Sequence, residues 1–149
     1  MTMRLAVAVD LEDDAPERVL DAAIRWAAQL GGALDVVYVM RASPVPATLG
    51  SSDPQVLRVV NAEIEQHRRR EAARLTQLVG RIPEANRGVA RLLEGAAVDA
   101  LVAAGERYEA LLVATHGRSG LAHFWLGSVA DVVRQARCTV VVLRVSPAA

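Results

Sequence analysis

Short, continuous apolar runs alternate along this chain with longer stretches in which apolar residues recur every three or four positions. These are the signatures of buried strands and amphipathic helices. Leu5-Ala-Val-Ala-Val9 reads as a buried strand ending at Asp10, and the acidic stretch Glu12-Asp13-Asp14 before Pro16 reads as a helix start. Val19, Leu20, Ala23, Trp26, Ala27 and Leu30 follow at helical spacing, Gly31-Gly32 ends that helix, and a second strand runs from Leu34 to Val39. Beyond a loop rich in Pro, Ser and Gly, from Arg41 to Pro54, a long amphipathic helix carries Leu57, Val60, Ile64, Leu75 and Leu78 on its apolar face. A strand from Val89 to Leu93, a helix from about Ala97 to Ala104, a strand from Leu111 to Thr115, a helix beginning at Ser128 and a last strand from Thr139 to Val145 complete the pattern. Five strands alternating with four helices predict an α/β protein whose parallel sheet is covered on both faces.

Composition narrows the function classes. With 149 residues the chain is one domain by length, large enough for a sizeable core without disulfides or metals. Hydrophobic content of 52% with only 3% aromatics predicts an aliphatic core, as parallel α/β proteins have. Lys+Arg and Asp+Glu both number 17, so no global field draws nucleic acid or an anionic membrane. The run Arg68-Arg69-Arg70 is answered by Glu63, Glu65 and Glu71 on the same helix and reads as a solvated face. A single cysteine, Cys138, forms no internal disulfide and reads as a packing residue, while three scattered histidines lack zinc-site spacing. No leader-like or membrane-spanning apolar stretch is present in the sequence, so a cytoplasmic protein is expected.

The candidate chemistry lies between Thr115 and Ser128, Thr-His-Gly-Arg-Ser-Gly-Leu-Ala-His-Phe-Trp-Leu-Gly-Ser. Gly117 and Gly120 permit a tight turn and close backbone approach, and Gly127-Ser128 sets a second flexible point and a hydroxyl where the next helix is expected to begin. The pattern is an anion cradle, and phosphate is its natural guest. It is neither a Walker A loop, which closes on Gly-Lys-Ser/Thr, nor a dinucleotide fingerprint with three close-set glycines.

Gly117, nine intervening residues and then Gly127-Ser128 resemble the nucleotide loop of the universal stress protein family, whose pattern is Gly-x-x-Gly, nine residues, Gly-Ser/Thr. The resemblance spans nearly the whole chain, with one departure: the family's first glycine falls on Ala114, adding a methyl where the family brings backbone close to ribose. It implies a Rossmann-like, adenine nucleotide alpha hydrolase-like fold, three-layer α/β/α, with strand order 3-2-1-4-5. In that order the chain reverses between the first and fourth strands, so Asp10 and Gly117 face one crevice. The resemblance further implies that Val9 and Asp10 meet the adenosine moiety and that Val39 lines the adenine pocket. Val113, Ala114, Thr115, Gly117, Arg118 and Gly120 would border ribose and phosphates, and Gly127, Ser128, Val129 and Ala130 would meet the phosphates. The implied ligand is ATP, with or without Mg²⁺; AMP and a cyclic nucleotide remain alternatives.

Each residue also has a plainer reading. Ser128 with Asp131 three residues on matches a capping box, Asp10 suits the turn before the first helix, and Gly117 and Gly120 suit a turn without a ligand. Arg118 reads also, and by preference, as a solvated loop cation, and His116 beside Ser119 lacks the acidic partner of a hydrolase triad. The catalytic inventory is thin, which favours a regulatory nucleotide-binding protein over an enzyme. A slow metal-dependent ATP hydrolase that uses Asp10, and an interaction module with an empty crevice, are the competing readings. The apolar strand Thr139-Val-Val-Val-Leu-Arg-Val145, at a sheet edge in the implied order, predicts a homodimer.

Overall fold

A computed structural model describes residues 2–13, 15–40, 53–116 and 122–145. Its elements are β1 (Arg4–Ala8), α1 (Pro16–Leu30), β2 (Ala33–Met40), α2 (Pro54–Val79), a 3₁₀ turn (Glu84–Asn86), β3 (Arg87–Glu94), α3 (Ala97–Gly105), β4 (Ala110–His116), α4 (Ala122–Gln135) and β5 (Thr139–Val145). The strands form one parallel sheet in the order β3-β2-β1-β4-β5. The order implied by the resemblance is the one observed. Among the described residues no helix is long and apolar enough to cross a membrane.

Strand side chains alternate across the sheet, and both resulting faces are covered. One layer joins Leu5, Val7, Leu34, Val36 and Leu112 to Val19, Leu20 and Ala23 of α1 and to Leu75 and Leu78 of α2. The other joins Ala6, Ala8, Val37, Leu111 and Val113 to Leu101 of α3 and to Val129 and Val132 of α4. β1 lies at the centre, paired with β2 and β4 and with Leu5, Ala6 and Val7 wholly buried. Small alanines on the strands let helices approach closely, so the aliphatic core is one the composition predicts.

The helix ends follow local chemistry. Pro16 opens α1 at a position where its missing N–H costs nothing, but the N-cap is Ala15 and no side chain caps it. The acidic stretch therefore marks the start without capping it. Gly31 ends α1 in the left-handed region at φ 69°, its N–H donating to the Ala27 carbonyl. Asp53 caps α2 conventionally, its Oδ1 accepting the Gln55 N–H at 2.9 Å.

Several helix positions expected in the core lie elsewhere. Trp26 and Leu30 are 43% and 40% exposed, on the flank of α1 away from Asp21, which pairs with Arg81 beyond α2. Leu57 is 47% exposed, and of the long apolar stripe on α2 only Leu75, Leu78 and Val79 are buried. The cause is length: at about 1.5 Å per residue α2 far outruns the strands it covers. Arg68, midway along it, already bonds Glu94 at the last position of β3. Residues ahead of Arg68 extend past the sheet.

At the opposite end of the sheet, one charged side chain is buried inside a strand. Asp35 of β2 is 6% exposed; its Oδ2 accepts the Tyr108 hydroxyl at 2.6 Å and Arg91 Nε at 3.3 Å, and its Oδ1 accepts the Val89 N–H at 2.8 Å. Arg4 Nη2 lies 3.9 Å from the same carboxylate, and its guanidinium sits over the Tyr108 ring. A buried charge is tolerable only when paired and hydrogen-bonded in this way. Gly88 makes room for it, since a Cβ there would collide with Asp35 Oδ1 and approach the Leu34 carbonyl oxygen to 2.6 Å.

Burial and, after it, the bond to Asp35 push the Tyr108 phenol from 10 up to about 12. The folded state thus holds this proton more tightly than the unfolded chain. Its contribution is complete below pH 10 and is lost as pH rises from 10 towards about 12. Tyr108→Phe is expected to cost about 2 kcal/mol at neutral pH, the worth of a hydrogen bond to a charged group, with the deficit shrinking across that alkaline window. Urea unfolding of both proteins at a series of pH values checks this, and a deficit that stays constant through the window contradicts it.

Candidate functional site

The carboxyl ends of β1 and β4 stand side by side at the point where the chain reverses across the sheet. Leu5, Ala6 and Val7 pair with Ala110, Leu111 and Leu112. Carried three residues on, this register sets Asp10 level with Thr115. From here the chain departs to α1 over one face and to α4 over the other. Connections that leave a parallel sheet in opposite directions open a crevice between them, where ligands bind in folds of this kind.

Asp10 is half-buried and shapes its own turn: Oδ1 accepts the Glu12 N–H at 2.9 Å, and its carbonyl accepts the Asp13 N–H at 3.1 Å. The plainer reading of Asp10 as a residue of the turn before α1 therefore holds, as an Asx-type turn at the strand tip, although no side chain caps the helix itself. Thr115 is also half-buried, and its hydroxyl donates to the Leu143 carbonyl at 3.4 Å, tying the tip of β4 to β5. Val9 donates its N–H to the Val37 carbonyl at 2.9 Å and so extends the pairing of β1 beyond its last strand residue.

The remaining expected site residues divide by what their side chains do. Val9 and Ala114 are buried in the layer under α1 and α2, whereas Val39, Val113 and Val129 are buried in the layer under α3 and α4. Their side chains are core, leaving the backbone as the part that can meet a ligand. The methyl of Ala114 is likewise spent on packing, being only 5% exposed. Ala130 is exposed. Gly117, Arg118 and Gly120 lie outside the described residues.

The start of α4 corrects the sequence reading. The helix begins at Ala122, so Gly127 and Ser128 are its sixth and seventh residues and not its N-terminus. Only N–H groups in the first turn of a helix lack an intrahelical partner, so those of Gly127 and Ser128 are not among them. Ala122 to Leu126 contains no proline, and a glycine within a helix costs only about 1 kcal/mol, which lets the helix continue through Gly127. The capping box of Ser128 and Asp131 therefore does not form at a helix start, and Asp131 instead pairs with Arg134 within α4.

The charged run of α2 behaves as solvated surface. Arg68 bonds Glu65 at 2.6 Å and Glu94 at 2.5 Å, and these partners, Glu94 foremost, raise its pKa; Arg69 lies 3.8 Å from Glu65. Cys138 is half-buried, a Cβ at Gly105 would stand 3.0 Å from its Sγ, and burial pushes its thiol up, away from reactivity. Among the described residues no three His, Cys, Asp or Glu side chains converge as a metal site. Sequence reasoning missed the Asp35 cluster, although its signal was present: one acid inside the apolar strand Ala33-Leu-Asp-Val-Val-Tyr-Val-Met40.

Fold, strand order and crevice together define a doubly wound α/β domain with its candidate site at the β1/β4 switch point. The model of the universal stress protein family matches residues 1–144, and the chain belongs to that family. No curated protein matches it significantly. It is similar to a solved universal stress protein family member from Burkholderia pseudomallei, with 25% identity, 95% of each chain covered and a TM-score of 0.62. A universal stress protein solved in complex with cAMP is 21% identical, with 98% of this chain and 100% of that one covered and a TM-score of 0.62. Another, from Archaeoglobus fulgidus in complex with dAMP, is 18% identical, with 94% and 96% covered and a TM-score of 0.57.

Proposed function

We propose that this chain, acting as one domain over residues 1–149, binds an adenine nucleotide at the tips of β1 and β4, as a cytoplasmic regulatory protein of the stress response. ATP is the proposed resident ligand. The observation that carries the reading is the β1–β4 register, which carried past Val7 and Leu112 brings Asp10 level with Thr115, directly ahead of the glycine-spaced segment. The solved relatives in complex with cAMP and dAMP support the adenine part of it.

In this reading Asp10 receives the ribose hydroxyls, whose donors suit a carboxylate already oriented by its own turn. The backbone at Val9, Val39, Val113 and Ala114 forms the floor for the adenosine moiety. Thr115, Gly117, Arg118 and Gly120 border the phosphates, with Arg118 as a charge-assisted donor. Gly127, Ser128, Val129 and Ala130 offer N–H groups to the terminal phosphates, and this requires the segment ahead of Gly127 to leave the helix on binding. Asp10 is the acid nearest the crevice in this arrangement. A Mg²⁺ ion would be held there mainly by the phosphates, whose charge it would neutralise.

β5 is a sheet edge, with Val142 42% exposed and Arg144 its only charge. α1 packs against β5 and leaves Trp26 and Leu30 exposed. An apolar strand edge flanked by exposed apolar side chains suits antiparallel pairing with its own twofold mate. A homodimer is therefore part of the proposal.

Calorimetric titration of the purified protein with ATP, AMP and cyclic AMP tests the ligand. Asp10→Ala is expected to weaken binding at least about tenfold, or ~1.4 kcal/mol, with or without Mg²⁺. Gly127→Val is expected to weaken it likewise, because valine is a better helix former than glycine and so holds the observed helix, while its side chain obstructs the cradle. Undiminished affinity in both folded variants contradicts the proposed site, and metal-dependent ADP production abolished by Asp10→Ala converts the reading to a slow hydrolase.

For assembly, light scattering at micromolar concentration is expected to give a dimer mass. Val140→Lys with Val142→Lys is expected to reduce it to a monomer with unchanged circular dichroism. A monomer mass for the unmodified protein removes the dimer from the proposal.

A further inference from the structure

The two edges of this sheet are built differently. β5 follows β4 in unbroken register from Ala110 opposite Thr139 to His116 opposite Val145. β3 does not follow β2 in this way: Leu34 pairs with Arg87 but Val36 pairs with Ala90, so Gly88 and Val89 together oppose the single residue Asp35. One extra residue of this kind is a bulge, which bends the strand and increases its twist.

The buried cluster holds that bulge in place. Asp35 Oδ1 takes the Val89 N–H, which the interrupted ladder would otherwise leave unserved. Its Oδ2 draws Arg91, a residue of β3 itself, back into the sheet. The bond to Asp35 raises the pKa of Arg91, so that guanidinium stays charged. Both ends of β3 are tied as well. Arg87 donates to the carbonyls of Ile82 and Gly80 at 3.0 and 3.4 Å, and Glu94 accepts two bonds from Arg68 of α2.

We infer that Arg91, held by buried Asp35 beside the bulge, is an edge-blocking charge: it keeps β3 from accepting a strand of a second copy of this chain and confines self-association to β5. A bulge and an inward-pointing charge are two of the means by which sheet edges are kept from pairing. The need for one follows from geometry. β5 of one copy on β3 of the next is a head-to-tail contact that leaves a free β5 and a free β3 at the ends, so it grows without closing. β5 on β5 closes after two copies. The inference is independent of nucleotide binding and uses β5 only as the strand that an unblocked β3 would take.

Sedimentation velocity over a rising concentration series tests it, with Arg91→Val and Arg91→Thr compared with the unmodified protein. In both variants Asp35 keeps Tyr108, the Val89 N–H and Arg4. Circular dichroism selects whichever variant is folded. The expected result is an average mass that climbs with concentration to at least about double that of the unmodified protein, with Val142→Lys in the same chain reversing the growth. Arg91→Lys, which retains the charge, is expected to stay at the unmodified mass. The inference is overturned if the folded variants keep the unmodified mass at every concentration, or if growth persists with Val142→Lys. The mass of the unmodified protein reports separately on β5 self-pairing, so failure of one reading is distinguishable from failure of the other.

Discussion

Everything in this molecule depends on the pairing of β1 with β4. β1 is the central strand, with β2 on one side and β4 on the other. Its residues are small and apolar enough to be sealed under helices on both faces. Burial of both faces also fixes register, because a slip of one residue would exchange the contents of the two layers. The same pairing juxtaposes two strand tips more than a hundred residues apart in sequence and sends their connections to opposite faces. The proposed ligand site there follows from the arrangement of the core and is not an addition to it.

The two ends of the sheet use opposite chemistry. At the amino ends a buried carboxylate gathers hydrogen-bond donors from β3 and from Tyr108 before β4, with Arg4 of β1 as an ion-pair partner at 3.9 Å, so that three segments are joined through one charge. Among the described residues no fully buried side-chain polar atom lacks a partner, as a buried network must achieve if it is not to destabilise the fold. At the carboxyl ends Asp10 and Thr115 stand at the tips of β1 and β4, and the sequence that follows β4 carries glycines at 117, 120 and 127.

How far the sequence could be read follows from this physics. Strands were legible because burial on both faces makes each a short apolar run, and β5 falls at Thr139–Val145 as read. Helix periodicity was legible, but periodicity does not say where the sheet beneath a helix stops. For that reason Leu57 on α2 and Trp26 and Leu30 on the flank of α1 were misassigned to the core. Gly127-Ser128 looked like a helix start because glycine and serine favour such positions, yet the apolar residues ahead of it are also helix-compatible and α4 begins at Ala122. Asp35 was passed over inside an apolar strand, since its three donors come from residues 54 to 73 positions away. The lone acid in the strand marks a buried charge, but nothing local marks its partners. For the candidate site, the strand tips were legible from topology once the order was in hand, whereas the packing roles of Val39, Val113 and Val129 required the layers themselves.

The central claim is that an adenine nucleotide sits across the tips of β1 and β4. Chemical-shift mapping of the backbone amides during titration with AMP tests it most directly, because it reports position as well as affinity. The predicted result is a saturable set of shifts that centres on Val9, Asp10, Ala114 and Thr115, extends to Val39 and Val129, and leaves Val89 and Arg91 at the far end of the sheet unmoved. Saturation with shifts confined to other surfaces, or no shifts at millimolar nucleotide, on the order of the weakest specific affinities, would contradict it.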